Sequence, residues 1–305
     1  MQNQIENFFF RLLFYVIRLF GFRTVQNLGS AFGGFIYSVI GLRRKLALDN
    51  LRHAFPEKTE HEIRAIAKAS YRNLFMAYFE ILYMDKLTEE DIRRYISFPE
   101  SEKINTLLQR GKGLIILTGH YGNWELCALT VPVIVPQKYT VVVQKQRNPY
   151  VNDFMTHMRA RFGAKLVVME RALRESLRAL SNNEAVALIA DQSGPESGIY
   201  TEFFGRPAST HQGPAVFQLR SGAPMIMVML IREGVGKFRI ETEEIDTQNL
   251  TGSDEEKMIE ITRRHVNMLE KFIRLHPEHW LWMHKRWKHT ESYLTKQSLM
   301  KASQS

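Results

Sequence analysis

Gly113-Leu114-Ile115-Ile116-Leu117-Thr118-Gly119-His120-Tyr121-Gly122-Asn123-Trp124-Glu125 reads as a strand, a turn and the start of a helix. The apolar run Leu114 to Leu117, bounded by glycine, predicts a buried strand, and the small residues after it present a histidine before a new segment starts at Asn123. In open α/β sheets ligands sit beyond the carboxyl ends of the strands, so His120 and Glu125, five residues apart, are expected to share one pocket. The carboxylate would orient and charge-stabilise the imidazole, which removes a proton from a substrate hydroxyl. A lone histidine after a strand also serves structure alone, as a hydrogen-bonding residue. The His-x4-Glu spacing misses the His-Glu-x-x-His zinc arrangement, and the only cysteine, Cys127, has no second cysteine to make a metal pair. No metal or redox cofactor is expected.

The run Thr118 to Glu125 resembles the signature of the bacterial lipid A biosynthesis acyltransferases, the late lauroyl/myristoyl transferases of the larger glycerolipid acyltransferase superfamily. Further matches follow in the family's order: Ala190-Asp191-Gln192, Phe203 to Ala208 through Gly213, Ser221 to Pro224, and Pro277 to Lys288. The resemblance spans nearly the whole chain. Many superfamily members that acylate glycerol phosphates carry aspartate where this chain has Glu125, so glutamate favours the lipid A branch.

At 305 residues the chain suits one large domain or one domain with an appendage. A single cysteine rules out an internal disulfide and is compatible with a reducing compartment. The excess of 41 Lys and Arg over 32 Asp and Glu, a formal +9, favours anionic partners without choosing among phospholipid surfaces, phosphorylated substrates, nucleic acid and acidic proteins. Nucleic acid is not expected, because the chain has no recognisable binding module and its basic residues are spread rather than striped.

Phe8 to Phe20 is apolar except for Arg11 and Arg18, which share a helical face with Asn7. A helix of that length covers roughly 20 Å, short of the roughly 30 Å hydrocarbon core, so it reads as interfacial rather than spanning. A second apolar stretch, Leu28 to Leu42, is closed by Arg43-Arg44-Lys45. A helix running on through Gly21 would be long enough to cross, with the basic cluster marking a cytoplasmic exit. A cleavable signal peptide is not favoured: Glu6 stands where basic residues belong, and no small-x-small site follows. The alternative is an amphipathic core helix; three consecutive phenylalanines tilt the reading toward membrane contact.

The expected architecture is α/β: a single domain over 46–296 with a central, largely parallel mixed sheet flanked by helices, preceded by a membrane-associated segment over 1–45 and followed by a polar, disordered tail over 297–305. A capping box starts a helix at Thr59 with Glu62. Strands are expected at Tyr139 to Val143, Lys165 to Met169, Ala185 to Ala190, Pro224 to Ile231 and Phe238 to Glu241, and helices at Asn152 to Phe162, Ala172 to Ser181, Gly213 to Arg220 and Glu255 to Leu275.

The resemblance supplies roles that spacing alone does not. It implies a substrate-binding neighbourhood of Asn123, Arg159, Arg161, Asp191, Gln192, Phe204, Gly205 and Thr210. Arg159 is favoured over Arg161 for a bidentate phosphate contact. Asp191, otherwise a turn-former, is expected to structure the loop after its strand. Phe203 and Phe204 would lie beside an acyl chain, with Ser209, Thr210 and nearby N–H groups as oxyanion donors. The tryptophans of His279 to Lys288 suit base stacking, a membrane interface or packing near the site, and the resemblance supports packing. It further implies acyl carrier protein or acyl-CoA as donor, a Kdo-bearing lipid A precursor as glycolipid acceptor, and a place on the cytoplasmic face of the inner membrane. The alternatives are an acyltransferase for another phospholipid, aminolipid or mannosylated lipid, and a membrane-attached binding protein with a degenerate site.

Overall fold

The computed structural model describes residues 2–135 and 137–302. Its strands are β1 (Ile96–Ser97), β2 (Leu114–Thr118), β3 (Tyr139–Val143), β4 (Lys165–Val168), β5 (Ala185–Ile189), β6 (Ile199–Phe203), β7 (Arg206–Thr210), β8 (Met225–Gly234) and β9 (Lys237–Ile245). Seven of them form one sheet in the order β1-β9-β8-β2-β5-β3-β4, and β6 pairs with β7 in a separate hairpin. Neighbours from β8 to β4 run parallel, β9 is antiparallel to β8, and β1 is parallel to β9. This is the mixed, largely parallel α/β sheet the sequence leads one to expect.

Strand residues alternate between two apolar layers. Ile115, Leu117, Val186 and Leu188 pack with Leu51, Ile63, Phe217 and Ile261 on one face. Leu114, Ile116, Ala185 and Ala187 pack with Ile92, Leu107, Leu129 and Met158 on the other. Because helices cover both faces, each central strand is a continuous apolar run rather than an alternating one. The core strands are thus legible, but their alternation is not.

The predicted capping box at Thr59 is present: its side chain accepts the Glu62 N–H, and Glu62 reaches back to the Thr59 N–H at 2.8 Å. The helix it starts, Glu60–Tyr83, lies against the helix Phe22–Phe35. That crossing is close, since a Cβ on Gly33 would fall 2.5 Å from the Tyr71 carbonyl oxygen, and one on Gly29 2.8 Å from the Met76 backbone.

At the N-terminus the first helix ends at Ile17 and the next begins at Phe22, so no continuous helix runs through Gly21. Among the described residues, no helix is long and apolar enough to cross a membrane. Phe10, Phe14 and Ile17 turn inward against Phe79, Leu82 and Phe154. Arg18 pairs with Asp85 instead of sharing a free polar face with Arg11. Many large apolar residues point outward, including Phe8 at 63%, Leu19 at 81% and Val39 at 67% exposure.

Two other expectations change. The tail is helical rather than disordered as far as it is described, since Thr290–Ala302 forms one helix and 303–305 fall outside the described residues. Phe203 and Phe204 belong to the core: Phe204 and Gly205 form the two-residue turn of the β6–β7 hairpin, with φ of 51° and 71°, the twist such turns need. The two rings pack on Phe55, Trp280, Trp282 and Trp287, so they build the floor of the fold rather than line an acyl chain.

Candidate active site

Parallel pairing of β2 with β5 sets the site. Thr118 lies opposite Ile189, so the residues two positions beyond each, His120 and Asp191, leave the sheet side by side. The His120 backbone N–H donates to Asp191 Oδ2 at 2.7 Å, and His120 Nδ1 lies 2.8 Å from Asp191 Oδ1. The indole N–H of Trp280 donates to Oδ2 at 3.0 Å, completing a buried carboxylate with three donors. An Nδ1–H held by Asp191 leaves the Nε2 lone pair free to accept a proton, as a general base requires. The Gln192 amide nitrogen stands 3.4 Å from Nε2, the ring nitrogen that Asp191 does not hold. Trp124 walls the imidazole at 4.9 Å between ring centroids.

Burial works against a charged imidazole, but the Asp191 charge and hydrogen bond outweigh it, with help from Glu125, and His120 titrates above the ordinary histidine value. Asp191 is affected in the opposite sense: burial alone would raise it, and its contacts with His120 bring it below the usual carboxylate range.

The turn is fixed from outside. Gly122 has φ of 57°, and a Cβ there would lie 2.4 Å from the Leu230 carbonyl oxygen of β8. Its N–H donates to His279 O at 2.8 Å, and Tyr121 forms a bridge to Trp280.

Glu125 does not take the position expected of it. It sits in the first turn of the helix Trp124–Ile134, where Arg159 binds it through two nitrogens at 2.5 and 2.8 Å and the Trp124 indole at 3.1 Å. His120 therefore has Asp191 as its orienting carboxylate, and Glu125 acts on it only through space. Arg159, whose fork was expected to hold a phosphate, has that fork on Glu125; the pairing keeps its guanidinium charged despite burial. Arg161 donates to the Met84 carbonyl at 3.0 Å.

Asn123 is a structural cap. Its Oδ1 accepts the Leu126 N–H at 2.9 Å, and its amide donates to Glu80 at 2.8 Å. Glu80 is fully buried and also accepts from Gln26 at 2.6 Å and from both terminal nitrogens of Arg232, at 2.5 and 2.9 Å. One buried carboxylate thus ties the Phe22–Phe35 helix, β8 and the start of the Trp124–Ile134 helix together. A glutamate on the buried stripe of Leu74, Ala77 and Ile81 is the signal in the sequence that something must pair with it there.

Thr210 and Ser209 are buried and already engaged. Thr210 Oγ1 accepts from Arg286 at 2.7 Å, and the Ser209 hydroxyl and carbonyl bond Pro195 and Arg286, so neither hydroxyl is open to an oxyanion. Arg286, missed by the sequence reading, is wholly buried and touches no carboxylate among the described residues. Burial brings it down to about 10, with the Asp191 charge acting the other way. Burial and the Arg286 charge together hold His265 down at about 3 and lower His211 as well. Nothing in the spacing of the Pro277 to Lys288 stretch shows that its Trp280 reaches Asp191 or that its Arg286 reaches Ser209 and Thr210; the chain has to fold back on the ends of β2 and β5 first.

One trio of metal-capable groups comes together among the described residues: His276, Glu278 and His279. His279 Nε2 accepts the Arg232 backbone N–H at 3.0 Å, which puts the ring proton on Nδ1, the atom 3.2 Å from Glu278. No lone pair is left there for an ion.

Residues 3–289 match the sequence profile of the family described as bacterial lipid A biosynthesis acyltransferase. The chain is 23% identical over 269 residues to the lipid A biosynthesis palmitoleoyltransferase of Escherichia coli K12, covering 86% of this chain and 84% of that protein. It is 24% identical over 279 residues to the lipid A biosynthesis acyltransferase of Haemophilus influenzae, covering 90% and 84%. The phosphatidylinositol mannoside acyltransferase of Mycobacterium tuberculosis is 22% identical over 191 residues, covering 61% and 58%.

Proposed function

The chain belongs to the bacterial lipid A biosynthesis acyltransferases, and we propose that it moves a fatty acyl group from acyl carrier protein to a hydroxyl of a lipid A precursor. The observation that carries the mechanism is the His120–Asp191 pair beyond the carboxyl ends of β2 and β5. His120 Nε2 takes the proton of the acceptor hydroxyl as its oxygen attacks the thioester carbonyl, and Asp191 stabilises the resulting imidazolium. The tetrahedral oxyanion is met by backbone N–H groups opening the Trp124–Ile134 helix. Collapse breaks the carbon–sulfur bond, and the leaving thiolate takes the proton back from His120. Glu125, clamped by Arg159, also favours the imidazolium, with the Arg159 charge acting the other way.

The enzyme works at the cytoplasmic face of the inner membrane, with the outward apolar side chains between Leu12 and Leu42 in the lipid. Leu19 and Val39 support that reading, since apolar surface left this open marks an interaction face.

The test is transfer of labelled acyl groups from acyl carrier protein to a tetra-acylated Kdo-lipid A precursor in detergent. Wild type should transfer, and His120→Ala should lose about 10² or more in rate, the usual worth of a general base. An unchanged rate in His120→Ala would remove the histidine from the chemistry. The relative named for phosphatidylinositol mannoside makes a mannosylated lipid the acceptor to run in parallel; transfer to it alone would keep the chemistry and discard the lipid A acceptor.

A further inference from the structure

A cavity of about 390 Å³ opens beside the catalytic turn, lined by Arg43, Ser193, His284, Lys285, Lys288 and His289 among others. We propose that it binds a phosphate group of the acceptor lipid and so positions the acceptor hydroxyl at His120, an inference that rests on the acyl-transfer reading above. The cavity gathers Arg43, Lys285 and Lys288 from two distant parts of the chain, and among the described residues no carboxylate pairs with any of the three. Surface cations usually find acidic neighbours or spread apart, so three unneutralised ones around one cavity make a site for an anion.

His284 adds a donor. Its Nε2 accepts the Ser193 backbone N–H at 3.1 Å, so the neutral ring carries its proton on Nδ1. The charge of buried Arg286 also acts on that ring, and no carboxylate touches it among the described residues. The cavity is also in the right place: Ser193 follows Gln192, whose side chain stands at His120 Nε2, and Asp191 precedes both.

The source of the phosphate follows from Arg43. Val39, Ile40 and Leu42 are 67%, 57% and 50% exposed, and Arg43 comes next, so the surface passes from apolar to cationic within a few residues. A lipid makes the same change, from acyl chain to phosphate. The phosphodiester of a carrier protein's prosthetic arm is the other source of this chemistry, and it would arrive from water.

The experiment uses the full chain in mixed micelles and compares wild type with Lys285→Ala/Lys288→Ala, and with Lys68→Ala/Lys112→Ala as a charge-matched control. KM is measured for the acceptor, for its enzymatically dephosphorylated counterpart and for the acyl carrier protein donor. The cavity variant should raise KM for the phosphorylated acceptor about tenfold, the worth of a lost charge-assisted contact. KM for the dephosphorylated acceptor and the donor should stay within about twofold, and the control should match wild type. A rise in donor KM instead would assign the phosphate to the carrier and overturn the proposal, as would an equal rise for both acceptors or none for either.

A titration with inorganic phosphate, followed at the His284 and His289 ring resonances, needs no turnover. Shifts in wild type that vanish in the cavity variant are expected, and their absence from wild type overturns the site. Shifts in a protein that acylates no lipid would sink the acyl-transfer reading while leaving the phosphate site standing.

Discussion

His120 gives Asp191 two hydrogen bonds, one from its backbone N–H at 2.7 Å and one through Nδ1 at 2.8 Å, so the carboxylate fixes both the turn and the ring. The raised pKa of His120 then sets the pH dependence. As the proposed base, His120 has to be neutral, so the rate is expected to rise with pH through a midpoint above the ordinary histidine value of 6.5. The same pairing stabilises the fold while His120 is protonated, and that contribution is lost as pH rises through the folded pKa. Asp191→Asn should move the midpoint of the pH–rate profile down while cutting the plateau rate about 10²–10⁴-fold, since the ring loses its preferred tautomer. A profile with its midpoint unmoved would show that Asp191 does not set the charge of His120.

Glu125 and Arg159 should behave as one unit. Each alanine variant leaves the other charge nearly buried and unpaired, so a double-mutant cycle on transfer rate should give a coupling of about 0.5–3 kcal/mol. Additive losses would mean that Glu125 acts on the substrate independently of the arginine that holds it.

Glu80→Ala should cost about 3–5 kcal/mol of stability, because it strands the Arg232 charge in the interior. Denaturant unfolding reads this directly. A cost below about 1 kcal/mol would show that the guanidinium finds water or another partner.

Leu19→Ser and Val39→Ser remove apolar side chains that contribute little to the core. Each should weaken partition onto phospholipid vesicles about tenfold, with unfolding stability changed by no more than about 0.5 kcal/mol. Partition equal to wild type in the double variant would take the outward apolar surface out of the membrane reading.

The buried strands were legible because a parallel sheet covered on both faces makes unbroken apolar runs, and Leu114 to Leu117 and Ala185 to Ala190 are such runs. The partner of His120 was harder to read. Glu125 is the nearer carboxylate along the chain, but the helix that starts at Trp124 carries it toward Arg159. Asp191 is far along the chain and near in space, because β5 lies in register beside β2. The signal was present in two apolar runs that each end within three residues of His120 or Asp191, and it becomes decisive only once the strands are known to be neighbours. Phe203 and Phe204 were misplaced for a related reason: aromatic rings beside a glycine suit a ligand pocket and a tight hairpin equally well, and only the packing of Trp280, Trp282 and Trp287 decides between them.

Gly122 leaves no room for a side chain between the His120 turn and the Leu230 carbonyl. The turn is therefore not a portable cassette. Grafted onto another scaffold, Thr118 to Glu125 would carry His120 but not its geometry, because the mould that shapes the turn is a strand and a later segment from elsewhere in the chain. Redesign of this enzyme has to treat β8 and the 279–280 backbone as part of the loop.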